Sequence, residues 1–480
     1  MSHLEAWFAD AVRQQEGGNF HGAALAWRRL LSRHGDLQDA WVNYATCLRK
    51  TGRVDEAQAA LARASELGPH TVPLLLERAE YLLATGLPEE ALLAQEQAIE
   101  LDPRSLPARF GLGRIHHRLG RSEAALKADE AALALAPGEP GAWVNRSASY
   151  LRLQRTAEAI ADARRAVALD PANPLGHLNL GIALLQEGRL DEGFREYEWR
   201  WKVPDIAAHD PQLGLPWWDG SPFPGRTLLI WAEQGLGDSL MVLRFLPAVQ
   251  ALGGRVILRL QPGLVDLVRP SLPGVEVVSE AEAPPAADLQ IPLMSLPSCV
   301  GTGTLPPAPY LTSPDPAQVP HRAAIDARLQ GAPGLKVGLV WAGNRIHQDN
   351  AYRCPPLAAF SGLAALPIQW VSLQRWEEGV PPPHPELPLL DLGDLLSDFR
   401  DTAYALSRLD HLLSVDTSVI HLAGALGRPA LLLLAQAPDW RWRLHAETSP
   451  WYASLRLVRQ ATPGDWAEAL GRAGAHLAMP

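Results

Sequence analysis

The stretch ELDPRSLPARFGLGRIHHRLGRSEAALKADEAALALAPGEP, Glu100 to Pro140, holds Pro103 and Pro137, 34 residues apart. Its reading decides the architecture of the first part of the chain. Each proline closes an alanine- and leucine-rich run, and Gly120 divides the interval into two apolar-periodic segments. Proline cannot continue a helix and glycine supplies the turn conformation, so the interval reads as two antiparallel helices. Outward from it, Pro69 and Pro171 keep the spacing, in the contexts ELGP, ELDP, ALAP and ALDP. Gly52, Gly86, Gly120 and Gly188 hold a second register, with Gln154 in the missing slot, and Ala57, Ala91, Ala125 and Ala159 hold a third, with Gly193 next. Three aligned series define an internal repeat rather than a coincidence of composition.

The period and signature resemble tetratricopeptide repeats, which stack helix pairs into an all-α superhelix. Five units run from about Gln38 to Trp201, the last incomplete, and Leu4 to His34 reads as a degenerate first unit, giving an array over 1–202. Trp41 and Trp143 occupy equivalent early positions and are expected in the core. Asn43, Asn145 and Asn179 share one face of the first helices. They are either solvated polar positions or the acceptor groove of an array that bonds an extended peptide.

Beyond Trp201 the period vanishes. Residues 203–225 are rich in proline and glycine and read as a linker packed by Trp217 and Trp218. RTLLIWA, QGLGD, SLMVLRFLPAVQALG and RVILRLQ then alternate strand, turn, helix and strand, the pattern of a parallel sheet with crossover helices. After a second proline-rich linker the alternation restarts with LKVGLVWAG, PLAAFSGLAAL, IQWVSLQ, HLLSV and ALLLLA. Two α/β domains are expected, over 226–315 and 335–460, with a ligand cleft at their carboxyl strand ends. A final helix within 461–480 is expected to cross back and brace the other domain.

Three loops supply candidate chemistry. In QGLGD, Gly235 and Gly237 let backbone N–H groups approach a ligand, and Asp238 is either a helix-capping carboxylate or a general base. WAGNRIHQDNAYRC carries Asn344, Arg345, His347, Asp349 and Arg353, and an arginine beside a helix start suits phosphate. In SVDTSVIHLAGALGRP, Thr417 or Ser418 starts a short helix ending at Gly427, whose N-terminus favours an anion of pyrophosphate type. PDWRWRLHAETSPWY reads chiefly as packing at a domain seam.

Composition narrows the classes. The 480 residues carry a net charge of −10, against a general nucleic-acid binder. Cys47, Cys299 and Cys354 are scattered, which favours a reducing compartment and gives no zinc or disulfide framework. No signal peptide or membrane-length apolar run is read, so a cytoplasmic location is expected.

From about Trp217 onward the chain resembles bacterial tetratricopeptide-linked glycosyltransferases. These are related to ADP-heptose:lipopolysaccharide heptosyltransferases and more distantly to O-linked N-acetylglucosamine transferases. WDGSPFPGRTLLIWAEQGLGD, VGLVWAGN, VDTSVIHLAGALGRP and PDWRWRLHAETSPWY carry the resemblance. It implies a GT-B fold of two Rossmann-like domains and an inverting, metal-independent transfer from a nucleotide-diphosphate sugar. The acceptor it implies is a protein, such as a flagellin or surface protein, recruited by the array. It implies Asp238 as catalytic base, with Gly235, Gly237, Asn344, Arg353, Gln374, Asp416, Thr417, Ser418 and His421 binding donor. No cofactor is expected. Cys354, where relatives carry Ser or Thr, and Ala435-Gln436-Ala437 depart from the pattern. A repeat scaffold with a non-catalytic GT-B-like domain, or a transferase acting on a lipid-linked or polysaccharide acceptor, are the alternatives.

Overall fold

The computed structural model describes residues 3–303, 305–343, 353–375 and 385–478. The chain divides into two compact units, Met1–Asn179 and Leu180–Pro480.

The first unit is helical. Its pairs are α1 (His3–Glu16) with α2 (Phe20–Leu31), α3 (Gln38–Lys50) with α4 (Val54–Leu67), α5 (Val72–Ala84) with α6 (Pro88–Leu101), α7 (Leu106–Arg118) with α8 (Ser122–Leu135), and α9 (Pro140–Arg152) with α10 (Thr156–Leu169). A further helix, α11 (Pro174–Glu187), carries the division between the units. Ala57, Ala91, Ala125 and Ala159 are fully buried, the small side chains that let paired helices approach. Gly52, Gly86 and Gly120 take φ of 76°, 79° and 70° at the intra-pair turns, and Gln154 takes 59° at the same repeat position. A side chain in that left-handed region costs about 1–2 kcal/mol relative to glycine. Gln154→Gly should therefore raise the array's stability by about 1 kcal/mol, read as a higher midpoint in urea unfolding.

Two expectations for the array change. Trp41 and Trp143 are half-buried rather than core, and each indole N–H donates to the carbonyl six residues back, Gly35 at 3.0 Å and Pro137 at 2.9 Å. Arg109 donates to Pro103 (2.7 Å) and His177 bonds Pro171 (3.0 Å) from the equivalent position, so this site seals the turn between repeats. Asn43 and Asn179, expected in the acceptor groove, instead staple neighbouring repeats. Asn43 accepts from Gln15 at 3.0 Å, and Asn179 donates to the Val144 carbonyl at 3.0 Å and the Ser147 hydroxyl at 2.8 Å. Glu77, at the same repeat position, does likewise through Arg49 and Thr46. Asn145 stays half-exposed.

The second unit opens with α12 (Leu190–Tyr197) and a 3-10 turn, Glu198–Lys202. Its first sheet contains β1 (Thr227–Trp231), β2 (Arg255–Leu260), β3 (Val275–Ser279) and β4 (Leu289–Pro292), all parallel in the order β3-β2-β1-β4. The second contains β5 (Leu335–Val340), β6 (Ile368–Ser372), β7 (Leu389–Asp391), β8 (His411–Val415), β9 (Ala430–Leu434) and β10 (Leu455–Arg459), again all parallel, in the order β10-β9-β8-β5-β6-β7. Each order reverses beside its first strand, between β1 and β4 and between β5 and β8, where open parallel sheets form a crevice. The central strands are near-continuous apolar runs, as burial on both faces demands.

The helix expected over SLMVLRFLPAVQALG is shorter and broken. It consists of α13 (Leu236–Val242), a 3-10 turn and a five-residue helix from Leu246, because Pro247 lacks the N–H an unbroken helix needs. PLAAFSGLAAL forms a 3-10 stretch, Leu357–Leu363, after Pro355 and Pro356. Two helices of the second sheet, α14 (Phe399–Ser407) and α15 (Ser418–Ala425), lead to the site. The last helix, α16 (Trp466–Leu477), does not brace the first sheet. Its Trp466, Ala469, Leu470 and Ala473 join the core on one face of the second sheet, with Val337, Leu339 and Leu431.

Candidate active site

A cleft of about 1060 Å3 lies at the carboxyl ends of strands from both sheets. Residues just past β1 (Gln234 to Asp238), β2 (Gln261), β5 (Ala342, Gly343), β6 (Gln374, Arg375) and β8 (Asp416 to Val419) line it. Gly235, Gly237, Asp238, Arg353, Gln374, Asp416, Thr417, Ser418 and His421 thus share one cavity. Asn344, with Arg345, His347 and Asp349, lies outside the described residues. The repeat pattern gave no sign that Ile182, Gln186 and Tyr197 would line the same wall.

Three helix N-termini meet this cleft. At α13, Asp238 accepts the Gly235 N–H at 3.0 Å. At α14, Asp398 accepts from Arg400 and Asp401 at 2.8 and 3.3 Å. At α15 no side chain among the described residues caps. Thr417 is the N-cap residue, but its hydroxyl lies 3.3 Å from Ser414 and makes no capping bond. An uncapped helix start presents N–H groups and the positive end of its dipole. Two of the three carry their own carboxylate, and α15 carries none among the described residues.

The arginines are engaged. Arg353 donates to the Asp416 carboxylate at 2.6 Å and to its carbonyl at 3.1 Å. Arg441 pairs with Asp439 at 2.6 Å and with Asp238, and its guanidinium lies 4.4 Å from the Trp440 ring centre. Burial opposes the Arg441 charge, but the two carboxylates more than compensate and hold its pKa up. Asp238 therefore has one oxygen on a backbone N–H and the other on a guanidinium. The capping role is realised, and a base role requires Arg441 to release it. The arginine was legible only as part of PDWRW, where indole packing dominated the reading. Burial raises the pKa of Asp416 despite Arg353.

Other expected ligand contacts are structural. The Gln374 amide oxygen accepts the N–H groups of Trp341 and Ala342 at 3.1 and 3.0 Å, and its NH2 donates to the Ala342 carbonyl at 3.1 Å. It locks the end of β6 to the end of β5. Gly237 is small because a Cβ there would meet the His421 ring at 2.7 Å. Gly235 has an ordinary extended backbone with φ −68°. The Cys354 Sγ accepts the Gly343 N–H at 3.5 Å, and burial pushes its thiol pKa up.

His421 is buried. Its Nδ1 lies 3.0 Å from the Tyr452 hydroxyl, its Nε2 3.9 Å from Asp416, and its ring stacks near Trp442. Burial, reinforced by Arg441, lowers its pKa to about 3, so it is neutral. The unfolded chain takes up a proton near pH 6.5 that the folded chain refuses until about pH 3. Stability is thus complete above pH 6.5 and falls as pH drops from there toward 3. At pH 5 this group alone should cost about 2 kcal/mol. Thermal melts at pH 7 and 5 should show His421→Gln losing less between the two than the parent does.

Helix pairs of this period and geometry define the first unit as a tetratricopeptide-repeat array. Residues 15–76, 76–140 and 146–209 match the sequence profiles described as Tetratricopeptide repeat. Among particular proteins, FlbA of Caulobacter vibrioides is 31% identical over 324 residues, covering 60% of this chain and 52% of FlbA. The chain thus spans about half the length of that relative, and the likeness covers more of it than the matched repeats occupy. Among solved structures, the tetratricopeptide protein TTC0263 of Thermus thermophilus is 22% identical, with 38% of this chain and 99% of that one covered and a TM-score of 0.35. YrrB, a tetratricopeptide protein with an unusual peptide-binding site, is 19% identical over 35% of this chain and 88% of its own, with a TM-score of 0.29. Among the described residues, no helix is long and apolar enough to cross a membrane, and no group of His, Cys, Asp and Glu is arranged to hold a metal.

Proposed function

We propose that the chain is a glycosyltransferase of GT-B type. It moves a sugar from a nucleotide-diphosphate sugar to a protein acceptor held on the repeats. The observation that carries the reading is the uncapped start of α15, opening into a cleft at the carboxyl ends of two parallel sheets. In this reading the diphosphate sits against the first N–H groups of α15 and the Thr417 and Ser418 hydroxyls. Those fixed dipoles stabilise charge that grows on the leaving group. Arg353 turns from Asp416 to the phosphates. Asp238, released by Arg441, takes the proton of the acceptor hydroxyl as that oxygen attacks the anomeric carbon from the face opposite the departing diphosphate.

The engaged arginines favour a second reading, a repeat scaffold whose α/β unit binds without turnover. Two measurements separate them. Thermal stabilisation by a panel of nucleoside diphosphates tests donor binding, and release of free sugar from a nucleotide sugar tests turnover. No shift with any nucleotide overturns the donor site. A shift without hydrolysis or transfer to any co-expressed surface protein favours the scaffold.

A further inference from the structure

A second cavity, of about 1040 Å3, lies wholly within the second unit, at the other end of its larger sheet. Lys336, the second residue of β5, lines it, with Asp410 just before β8 and Arg428 two residues before β9. The helix Arg322–Leu329 contributes Arg322 and Asp326, and Arg408 follows the last residue of α14. The cleft described above lies past the carboxyl ends of the same strands. At about 3.3 Å per residue, β5 holds Lys336 about 20 Å from Ala342 in that cleft, so the two cavities are separate.

The six residues named are all the ionisable groups on the wall, four cations against two carboxylates. The chain as a whole has a net charge of −10, so this excess is local. Both carboxylates are engaged. Asp326 accepts the Tyr404 hydroxyl at 2.8 Å and lies 3.3 Å from Arg408 Nε and 3.7 Å from Arg322 Nε, so one acid is shared by two arginines. Asp410 accepts the backbone N–H of Lys336 at 2.8 Å. The Lys336 ammonium itself has no hydrogen bond or ion pair among the described residues. Arg428 donates to the Leu409 carbonyl at 2.7 Å, which anchors its guanidinium on the wall without neutralising it. A concave surface with an excess of one sign focuses the field and concentrates counter-ions. Guanidinium forks match pairs of phosphate oxygens, and a lysine adds a point charge, so the chemistry suits a multiply charged phosphate better than a single carboxylate.

We propose that this cavity is a second anion site, which binds a small molecule bearing a diphosphate group through Arg322, Lys336, Arg408 and Arg428. Its volume leaves room for an organic substituent beyond the phosphates. The site stands on its own residues, whether or not the α15 cleft holds a sugar donor.

The test is calorimetric titration of the full chain with inorganic pyrophosphate in magnesium-free buffer. The parent and Ser418→Pro, which disables the N-terminus of α15, should both bind, and binding should weaken as salt rises from ~50 to ~500 mM. In the Ser418→Pro chain, adding Lys336→Met and Arg408→Met should weaken binding by about tenfold or more, the value of lost hydrogen bonds to a charged group. Adding Asp326→Asn instead, which removes one of the two acids, should tighten it. Arg226→Met, which removes an exposed cation before β1 of the other sheet, should leave it unchanged. Loss of all pyrophosphate binding in Ser418→Pro at an unchanged melting temperature would place the anion in the α15 cleft and overturn the inference. So would a Lys336 and Arg408 double substitution that keeps its affinity, or a parent that ignores pyrophosphate while binding vesicles of anionic lipid.

Discussion

Replacing Arg200 with Met lowers the stability of the second unit by about 3–5 kcal/mol, the loss expected when one partner of a buried ion pair is removed. Arg200 is fully buried in the 3-10 turn after α12. It donates to Glu198 at 2.7 Å and to Glu233 and Ser295 at 2.8 Å, with its guanidinium 4.8 Å from the Tyr197 ring centre. Glu233 is almost wholly buried just past β1. Burial pushes its pKa up to about 7 even with Arg200 beside it. A carboxyl whose folded pKa is raised stabilises the fold while protonated and loses that contribution as pH rises from 4.5 toward 7. Without the guanidinium the cost of ionising Glu233 grows, so the variant's deficit should be larger at pH 8 than at pH 5. Urea unfolding of the full chain at both pH values checks this. An equal deficit would mean that packing, not charge, dominates the loss.

Ser418→Pro should weaken nucleoside-diphosphate binding by roughly 10- to 100-fold, the value of a lost hydrogen bond to a charged group. The fold should tolerate it. Ser418 is the first residue of α15, where proline is favoured because its missing N–H has no helical partner. The preceding Thr417 is already extended, with φ −142° and ψ 170°, the conformation that proline imposes on its neighbour. Ser418→Ala, which keeps the N–H, separates the backbone donor from the hydroxyl. Binding by thermal shift or calorimetry, beside the unliganded melting temperature of each variant, distinguishes a lost contact from a lost fold. Equal affinity in the proline variant would remove α15 from the proposed donor site.

The repeat was legible because its residues answer to local rules: a left-handed turn at Gly52, Gly86 and Gly120, and close packing at Ala57 and Ala91. The long apolar strands were legible for the same reason. β3, β4, β7 and β10 were not, since VEVVS, LQIP, LLD and LRLVR are short or mix charge into the run, and their strand state comes from parallel neighbours. At the site, the spacing of motifs located the loops, and those loops converge on one cleft. What the motifs could not show is which groups already hold one another. The Asp238–Arg441 pair joins residues 203 positions apart, and the Gln374 amide is consumed by backbone 32 and 33 positions away. Long-range pairing of this kind has no sequence period. The Arg200 cluster escaped for the same reason, because EWRWK looked like the tail of the last repeat.

That tail has a practical consequence for dissecting the protein. Phe194, on α12, lies in the main core of the second unit and packs edge-on against Trp440 at 5.6 Å. A cut placed after residue 202, where the repetitive pattern stops, would strip Phe194 and Arg200 from the fragment that needs them and strand Glu233 in a dry interior. A separately expressed α/β fragment should therefore begin upstream of Leu180, sacrificing the integrity of the final repeat rather than its own foundation.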